Sequence, residues 1–172
     1  RSNIDTPLAA YVTSRRLRFM GKDSIWKFAP IGWVLSALGA FPVTRGSADR
    51  EALKRCIAVL EAGEPLVLFP EGTRQSGPIV QPLFDGAAYV AVKAGVPIIP
   101  VGIGGSERVM PKGSKMIYPR KCVLVVGEPI FTPIDEAGRV PRSAVKDVTS
   151  RLFDDLQRLF DEAQRLAGTP NK

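Results

Sequence analysis

A glutamate, a threonine and an arginine follow one short apolar run, and their types and spacing suit the binding of an anion. After residues 66–69 the chain continues with Pro70, Glu71, Gly72, Thr73 and Arg74. Arginine offers a planar fork of donors that matches phosphate or carboxylate, and threonine adds a hydroxyl. Ligands of open α/β sheets bind beyond the carboxyl ends of strands, so the pattern predicts a binding site here. The alternative is a surface turn in which the glutamate and the arginine pair with each other.

The local sequence also predicts how this turn is built. The four apolar residues 66–69 are typical of a strand that is buried on both faces. Pro70 cannot donate to a sheet ladder, so the strand should end there. Gly72 should then allow a tight turn or the close approach of a ligand.

A second arginine follows a second apolar strand pattern. Residues 40–43 are predicted to form a buried strand, and Arg45 follows it. A helical pattern over about residues 47–62, which Gly63 should end, separates this strand from the one at residues 66–69. Strand, helix and strand in this order predict a βαβ crossover and a parallel sheet. Arg45 and Arg74 would then lie at the same edge of that sheet, where two guanidinium groups could clamp a phosphate.

The first residues contain a carboxylate with two candidate roles. Asp5 could cap the helix that Pro7 begins. Residues 1–5 also resemble the part that follows the histidine in Asn-His-x-Ser-x-x-Asp, the first motif of the glycerolipid acyltransferases. Phe-Pro-Glu-Gly-Thr-Arg at residues 69–74 resembles a further motif of this family, and so do the arginine-terminated strand at residues 39–46 and the two-proline strand at residues 96–103.

This resemblance covers residues 1 to about 133 and implies both a fold and an activity. The implied fold is an α/β domain with a mostly parallel sheet flanked by helices, as in the glycerol-phosphate acyltransferases. We expect one domain over residues 1–172, truncated at its N-terminus. The implied reaction, part of phospholipid synthesis, moves a fatty acyl group from a thioester to a hydroxyl of lysophosphatidic acid or a related glycerol phosphate. The donor would be acyl-CoA or acyl carrier protein, and the resemblance requires neither a metal nor another cofactor.

The resemblance also assigns roles to individual residues. In this family a histidine takes the proton from the acceptor hydroxyl, and Asp5 matches the aspartate that orients it. The chain contains no histidine, and we expect one directly before Arg1 in the parent gene. Arg45 and Arg74, helped by Lys22, would hold the phosphate of the acceptor. Glu71 would bind an acceptor hydroxyl or hold Arg74, within the turn that Gly72 and Thr73 complete.

The positive net charge favours an anionic partner but does not distinguish between classes of anion. The net charge is +7, and the basic residues are scattered without a nucleic-acid motif, so we expect no nucleic acid. A non-catalytic domain that binds anionic lipid or phosphate is the alternative to the enzyme.

Cys56 and Cys122 have no metal-ligand spacing and are predicted to be reduced core residues. We therefore place the protein at the cytoplasmic face of the cell membrane, peripheral or anchored by segments outside this chain.

The longest charge-free run, residues 28–44, is interrupted by Pro30, Gly32, Gly39 and Pro42, which argues against a membrane-spanning helix. A short helix over residues 31–38 is predicted instead. Trp33 and its apolar neighbours are predicted to be core, with an acyl pocket or a bilayer surface as alternatives. Further helices are predicted over residues 7–12 and 84–94, a strand over residues 16–20, and buried strands over residues 96–103 and 121–127. A last helix should begin at Pro141 and dock an apolar stripe on the sheet.

Overall fold

The computed structural model describes residues 2, 4–43, 50–111, 116–132 and 139–171, except for the side chain of Lys22. The chain packs into two compact units, which are treated separately below. One is Thr13–Leu68, and the other combines Arg1–Val12 with Phe69–Lys172. The single domain expected over residues 1–172 stays a prediction.

Short helices and strands alternate along most of the chain, and one long helix ends it. The helices are α1 (Asp5–Ala9), α2 (Ala29–Ala37), α3 (Arg50–Glu61), α4 (Gly86–Ala94), α5 (Ser106–Val109) and α6 (Arg142–Leu166). The strands are β1 (Arg18–Lys22), β2 (Ala40–Val43), β3 (Leu66–Val67), β4 (Val101–Gly104) and β5 (Val123–Val126). Single 3₁₀ turns at Ala10–Val12 and Asp23–Lys27 follow α1 and β1.

The unit Thr13–Leu68 contains a parallel sheet in the order β2-β1-β3. Phe19 of β1 is in register with Ala40 of β2 and with Val67 of β3. The predicted βαβ crossover is therefore confirmed, because α3 connects two strands that run in the same direction. Gly63 ends this crossover helix in a left-handed conformation with φ of +74°, as its position predicted.

The predicted burial of residues 66–69 is wrong. Only Leu66 and Val67 form a strand, residues 66–68 are half-buried, and the Phe69 side chain is 47% exposed. In the described sheet β3 is an edge strand with β1 as its one neighbour, so fewer side chains cover it. The chain leaves the strand three residues before Pro70.

The other unit is organised by α6, which packs on the antiparallel pair β4 and β5. A Cβ atom on Gly102 would lie 2.3 Å from the backbone carbonyl of Leu159, and one on Gly104 would lie 2.2 Å from that of Ala163. These two glycines let the helix backbone approach the strand directly. The predicted docking of α6 on a sheet is confirmed, although Leu166, at the end of the predicted stripe, is exposed.

The strands of this unit are shorter than predicted. Residues 96–103 were expected to form one buried strand, yet β4 begins at Val101 and Ile98 makes an isolated bridge to Ile130. Pro97 and Pro100 carry no N–H, so a continuous ladder cannot form across them. Similarly, β5 is half-buried and Val126 is 50% exposed, so the prediction of a buried strand over residues 121–127 is wrong.

The apolar helix near residue 33 forms, but it is not core. Helix α2 covers Ala29–Ala37, and Trp33 is 75% exposed. The prediction that Trp33 is buried is therefore wrong, because apolar composition alone does not distinguish a core helix from a surface helix. Among the helices in the described part of the chain, none has both the length and the apolar character needed to cross a bilayer.

Candidate active site

Asp5 is buried at the start of α1, where its carboxylate is held by the backbone just before the helix. Its Oδ2 accepts a hydrogen bond of 2.7 Å from the backbone N–H of Ser2. Asp5 and Ser2 are 5% and 6% exposed. The cap residue of α1 is Ile4, and this bond joins Asp5 to a residue before the helix. The sequence-based alternative of a simple helix cap for Asp5 is therefore wrong.

Ser2 ties this carboxylate to a distant part of the same unit. The Ser2 hydroxyl donates a 2.9 Å hydrogen bond to the backbone carbonyl of Met110. Met110 follows α5, and its own N–H donates to the Ser106 carbonyl at 3.1 Å. The position of Asp5 therefore depends on a segment more than one hundred residues further along the chain.

The segment that contains Met110 is itself held by the end of α6. The backbone N–H of Gly105 donates to Oε1 of the buried Gln164 at 2.8 Å. The Arg108 guanidinium donates to the Ala167 carbonyl at 2.7 Å. Asp5 is thus supported by Ser2, by the α5 region and by the last turns of α6.

The Cys122 thiol interacts electrostatically with Asp5. Burial raises the pKa of the Cys122 thiol, and the negative charge of Asp5 raises it further, while Arg108 opposes the rise. Cys122 immediately precedes β5 and is half-buried. Its proximity to Asp5 depends on contacts between distant segments, and the sequence contained no signal for it.

The chain turns at Phe69–Gly72, as the proline and the glycine predicted. The N–H of Gly72 donates to the Phe69 carbonyl at 3.0 Å, which closes a four-residue turn. Pro70 occupies the second position and Gly72 the fourth, which are the positions these residue types favour in the commonest β-turn. Gly72 adopts φ of +70°, and the Thr73 N–H then bonds the Glu71 carbonyl at 2.8 Å.

The side chains after this turn differ in exposure. Gly72, Thr73 and Arg74 are exposed, whereas Glu71 is half-buried. One carboxylate oxygen of Glu71 accepts a 3.3 Å hydrogen bond from the Gln81 backbone N–H. This bond ties the turn to the polar loop that follows it, so Glu71 has a structural role that the sequence did not predict.

Phe84 packs against the turn. Its N–H donates to the Pro70 carbonyl at 3.0 Å. Its ring lies so close to Gly72 that a Cβ atom on residue 72 would be 2.6 Å from Cε2 of Phe84. Glycine is therefore favoured at residue 72 by its backbone conformation and also by the contact with this ring.

Two further predicted binding residues, Arg45 and Lys22, make no described contact with this turn. Arg45 lies outside the described residues, so the clamp of Arg45 with Arg74 stays a prediction. Lys22 belongs to the other unit, where its backbone is in register with Val43 at the carboxyl end of the sheet. Arg45 follows Val43 by two residues in the sequence. Lys22 therefore ends the strand that neighbours the strand before this arginine.

A cavity of about 240 Å³ in the unit Thr13–Leu68 lies at the opposite, amino end of the sheet. Three arginines line it, and each contacts a protein acceptor. Arg15 donates to the Gly63 carbonyl after α3, and Arg16 donates to the Ala37 carbonyl at the end of α2. Arg18 forms a bidentate ion pair with Glu64, which raises the pKa of Arg18 and lowers that of Glu64. This cavity lies at the opposite end of the strands from Lys22 and Val43, and each of its arginines binds a protein acceptor within this unit.

Within the part of the chain that the structure describes, no group of three or more His, Cys, Asp or Glu residues is arranged to hold a metal ion.

Comparison with known proteins finds a matching family and several similar proteins. The sequence profile of the Acyltransferase family matches residues 1–104. A chloroplastic 1-acyl-sn-glycerol-3-phosphate acyltransferase of Brassica napus is 33% identical over 117 residues, which are 66% of this chain and 34% of that protein. The 1-acyl-sn-glycerol-3-phosphate acyltransferase of Bacillus subtilis is 31% identical over 115 residues, 67% of this chain and 55% of that protein.

The fold is also similar to a solved structure. The 1-acyl-sn-glycerophosphate acyltransferase PlsC of Thermotoga maritima matches with a TM-score of 0.76 and 26% identity. The alignment covers 94% of this chain and 62% of the PlsC chain. This similarity confirms the predicted α/β fold class. The chain spans about a third of the Brassica protein and about half of the Bacillus protein.

Proposed function

Since this chain belongs to the Acyltransferase family, we propose that it is the core of an enzyme that acylates a glycerol phosphate in phospholipid synthesis. The observation that carries the proposal is the family match over residues 1–104. That stretch includes Asp5, Lys22, Arg45 and the turn at residues 70–74. Lysophosphatidic acid is the acceptor we propose first, because 1-acyl-sn-glycerol-3-phosphate stands in the names of the relatives described above.

The proposed reaction is a direct acyl transfer. The acceptor hydroxyl oxygen attacks the carbonyl carbon of a fatty acyl thioester, a C–O bond forms and the C–S bond breaks. The hydroxyl proton passes to a histidine expected directly before Arg1 and then to the departing sulfur. Acyl-CoA or acyl carrier protein supplies the thioester, and no metal or other cofactor takes part.

Asp5 is proposed to orient that histidine and to stabilise its positive charge during transfer. A carboxylate that fixes the tautomer leaves the other ring nitrogen as an acceptor for the proton. The hydrogen bonds from Ser2 to Asp5 and to Met110 support this role, because they hold the carboxylate in one place. A general base placed in this way accelerates a reaction by about 10²–10⁴-fold.

Arg74 and Arg45, with Lys22, are proposed to bind the acceptor phosphate. The exposed position of Arg74 next to the tight turn supports this role, since the turn fixes the backbone that carries the guanidinium. Glu71 and Thr73 would complete the binding loop. Holding the phosphate would place the acceptor hydroxyl near the base and so lower the entropic part of the barrier.

The setting we propose is the cytoplasmic face of the cell membrane, where acceptor and product both reside in lipid. The net charge of +7 supports contact with an anionic surface.

An acceptor screen on the full-length parent protein tests the proposal. Long-chain acyl-CoA and acyl carrier protein are each offered with lysophosphatidic acid and with the phosphate-free monoacylglycerol, and products are identified by mass spectrometry. We expect phosphatidic acid from at least one donor and much less product from the phosphate-free acceptor. Binding of lysophosphatidic acid without any acyl transfer would instead establish the non-catalytic lipid-binding domain.

A further inference from the structure

Helix α2 and the two residues that flank it, Phe28 and Leu38, expose large apolar side chains on the outside of the unit Thr13–Leu68. Phe28, Trp33 and Leu38 are 61%, 75% and 66% exposed, and Ile31 and Val34 are each 47% exposed. Monomeric proteins rarely expose a contiguous apolar patch of this kind without a use for it. The outward face of α2 is defined here as these five side chains.

The inner side of α2 is already occupied, so the exposed side chains cannot turn inward. Gly32 is buried beneath the indole of Trp26, which lies 3.0 Å from the position of a Cβ on residue 32. The Trp26 Nε1 donates to the Ser36 hydroxyl at 2.9 Å. At about 100° of rotation per residue, Trp33, Val34 and Leu38 lie on the side away from Gly32. A helix that is apolar on both sides belongs in a core or at a membrane.

Basic residues flank this face at both ends. Lys27 is exposed directly before Phe28, and the Arg16 guanidinium bonds the Ala37 carbonyl at the other end of α2. Residues 13–43 contain five basic residues, of which Arg18 is paired with Glu64, and one acidic residue, Asp23, so four basic residues stand against one acidic residue. An apolar surface between cations matches the boundary of an anionic bilayer, where acyl chains lie beneath negative headgroups.

We propose that the outward face of α2 docks this chain on the surface of an anionic lipid bilayer. The helix has nine residues and is about 14 Å long, so it would lie in the plane of the interface and not span it. Trp33 would sit at headgroup depth, as amphipathic indoles do. Lys27 and Arg16 would contact the phosphates. The proposal concerns lipid binding alone and does not depend on acyl transfer.

Tryptophan fluorescence tests the proposed depth directly, because the chain has only two tryptophans. The wild-type chain is mixed with vesicles of phosphatidylcholine and phosphatidylglycerol in which some acyl chains are brominated. We expect strong quenching in the wild type. We expect little quenching in Trp33→Phe, which keeps an apolar side chain and retains the inner Trp26 as its one indole. Equal quenching of both proteins would overturn the proposal.

Vesicle co-sedimentation without donor or acceptor tests the surface itself. The double variant Trp33→Ser/Leu38→Ser should lower the partition coefficient by at least about tenfold, because it removes the two most exposed apolar side chains of the outward face. Lys27→Gln should lower it by about fivefold at low salt and by less at high salt. The matched control is Phe131→Ser, since Phe131 is also 75% exposed but lies in the other unit.

The control separates a specific surface from general stickiness. We expect Phe131→Ser to bind vesicles as the wild type does. Equal losses in Phe131→Ser and in Trp33→Ser/Leu38→Ser would contradict the assignment to α2. Concentration-dependent dimerisation that the double variant abolishes, with no effect on vesicle binding, would also overturn it, because the face would then bind a second copy of the chain.

Discussion

Replacing Gly72 by alanine tests the structure of the turn that carries Glu71, Thr73 and Arg74. Gly72 has φ of +70°, and a left-handed conformation costs an alanine about 1–2 kcal/mol. The new Cβ would also lie 2.6 Å from Cε2 of Phe84. The Phe84 side chain is 67% exposed and can rotate away, at a further cost of about 1 kcal/mol. Gly72→Ala should therefore lower the free energy of unfolding by about 2–3 kcal/mol in urea titrations.

Gly77→Ala is the matched control for this experiment. Gly77 has φ of +89°, but a Cβ there meets no described atom within 4 Å. This variant should lose only the backbone contribution of about 1–2 kcal/mol. Adding Phe84→Ala to Gly72→Ala should remove the steric part of the destabilisation, which a double-mutant cycle measures. Equal destabilisation in Gly72→Ala and Gly77→Ala, with no coupling to Phe84, would refute the inferred contact.

The same pair of variants separates stability from function. Since Phe84 supports the turn, its displacement should move the loop that presents Arg74. In the full-length parent, Gly72→Ala should lower kcat/KM for lysophosphatidic acid at a temperature where both variants are folded. Gly77→Ala should leave kcat/KM nearly unchanged. If Gly77→Ala lowered kcat/KM as much as Gly72→Ala does, the geometry of the turn at residues 69–72 would not explain the loss of activity.

Three further outcomes are expected. Arg45→Ala and Arg74→Ala should each lower kcat/KM for lysophosphatidic acid by about 10–100-fold, since each charge-assisted hydrogen bond contributes about 1.5–3 kcal/mol; an equal loss with monoacylglycerol would show that the arginines are structural. Burial raises the pKa of the Cys56 thiol from 9.0 to about 11. The contribution of the protonated thiol to the free energy of unfolding is therefore complete below pH 9 and is lost as the pH rises towards 11. Relative to Cys56→Ala, the wild type should lose about 2 kcal/mol of unfolding free energy between about pH 7.5 and about pH 10.5, and a pH-independent difference would contradict this. Gly104→Ala should destabilise by at least about 3 kcal/mol in thermal unfolding, because the obstacle is the α6 backbone at Ala163; a near-normal Tm would disprove the close packing.

Local signals in the sequence predicted the parallel sheet well. The strand at Ala40–Val43 was predicted with its observed bounds, although only Val43 of its four residues is buried as predicted. The crossover helix ends just before the glycine that was expected to stop it. These features depend on turn residues and on hydrophobic periodicity, which are contained in short stretches of chain. The predicted turn after Phe69 formed for the same reason, because proline and glycine act through their own backbone.

Features that depend on contacts between distant segments were not predictable. The carboxylate of Asp5 was expected to matter, but its support by Met110 and its proximity to Cys122 join segments more than one hundred residues apart. The exposure of Trp33 was missed because an apolar helix has the same composition in a core and at a surface. Strand β4 is shorter than the apolar composition of residues 96–103 predicts, because Pro97 and Pro100 interrupt the ladder.

The central claim is that Asp5 belongs to the machinery of acyl transfer, and Asp5→Asn in the full-length parent protein tests it most directly. The substitution preserves shape but removes the charge that would orient and stabilise the histidine expected before Arg1. With a long-chain acyl thioester and lysophosphatidic acid, formation of phosphatidic acid should slow by about 10²–10⁴-fold while lysophosphatidic acid still binds. Wild-type turnover in a folded Asp5→Asn protein would contradict the account.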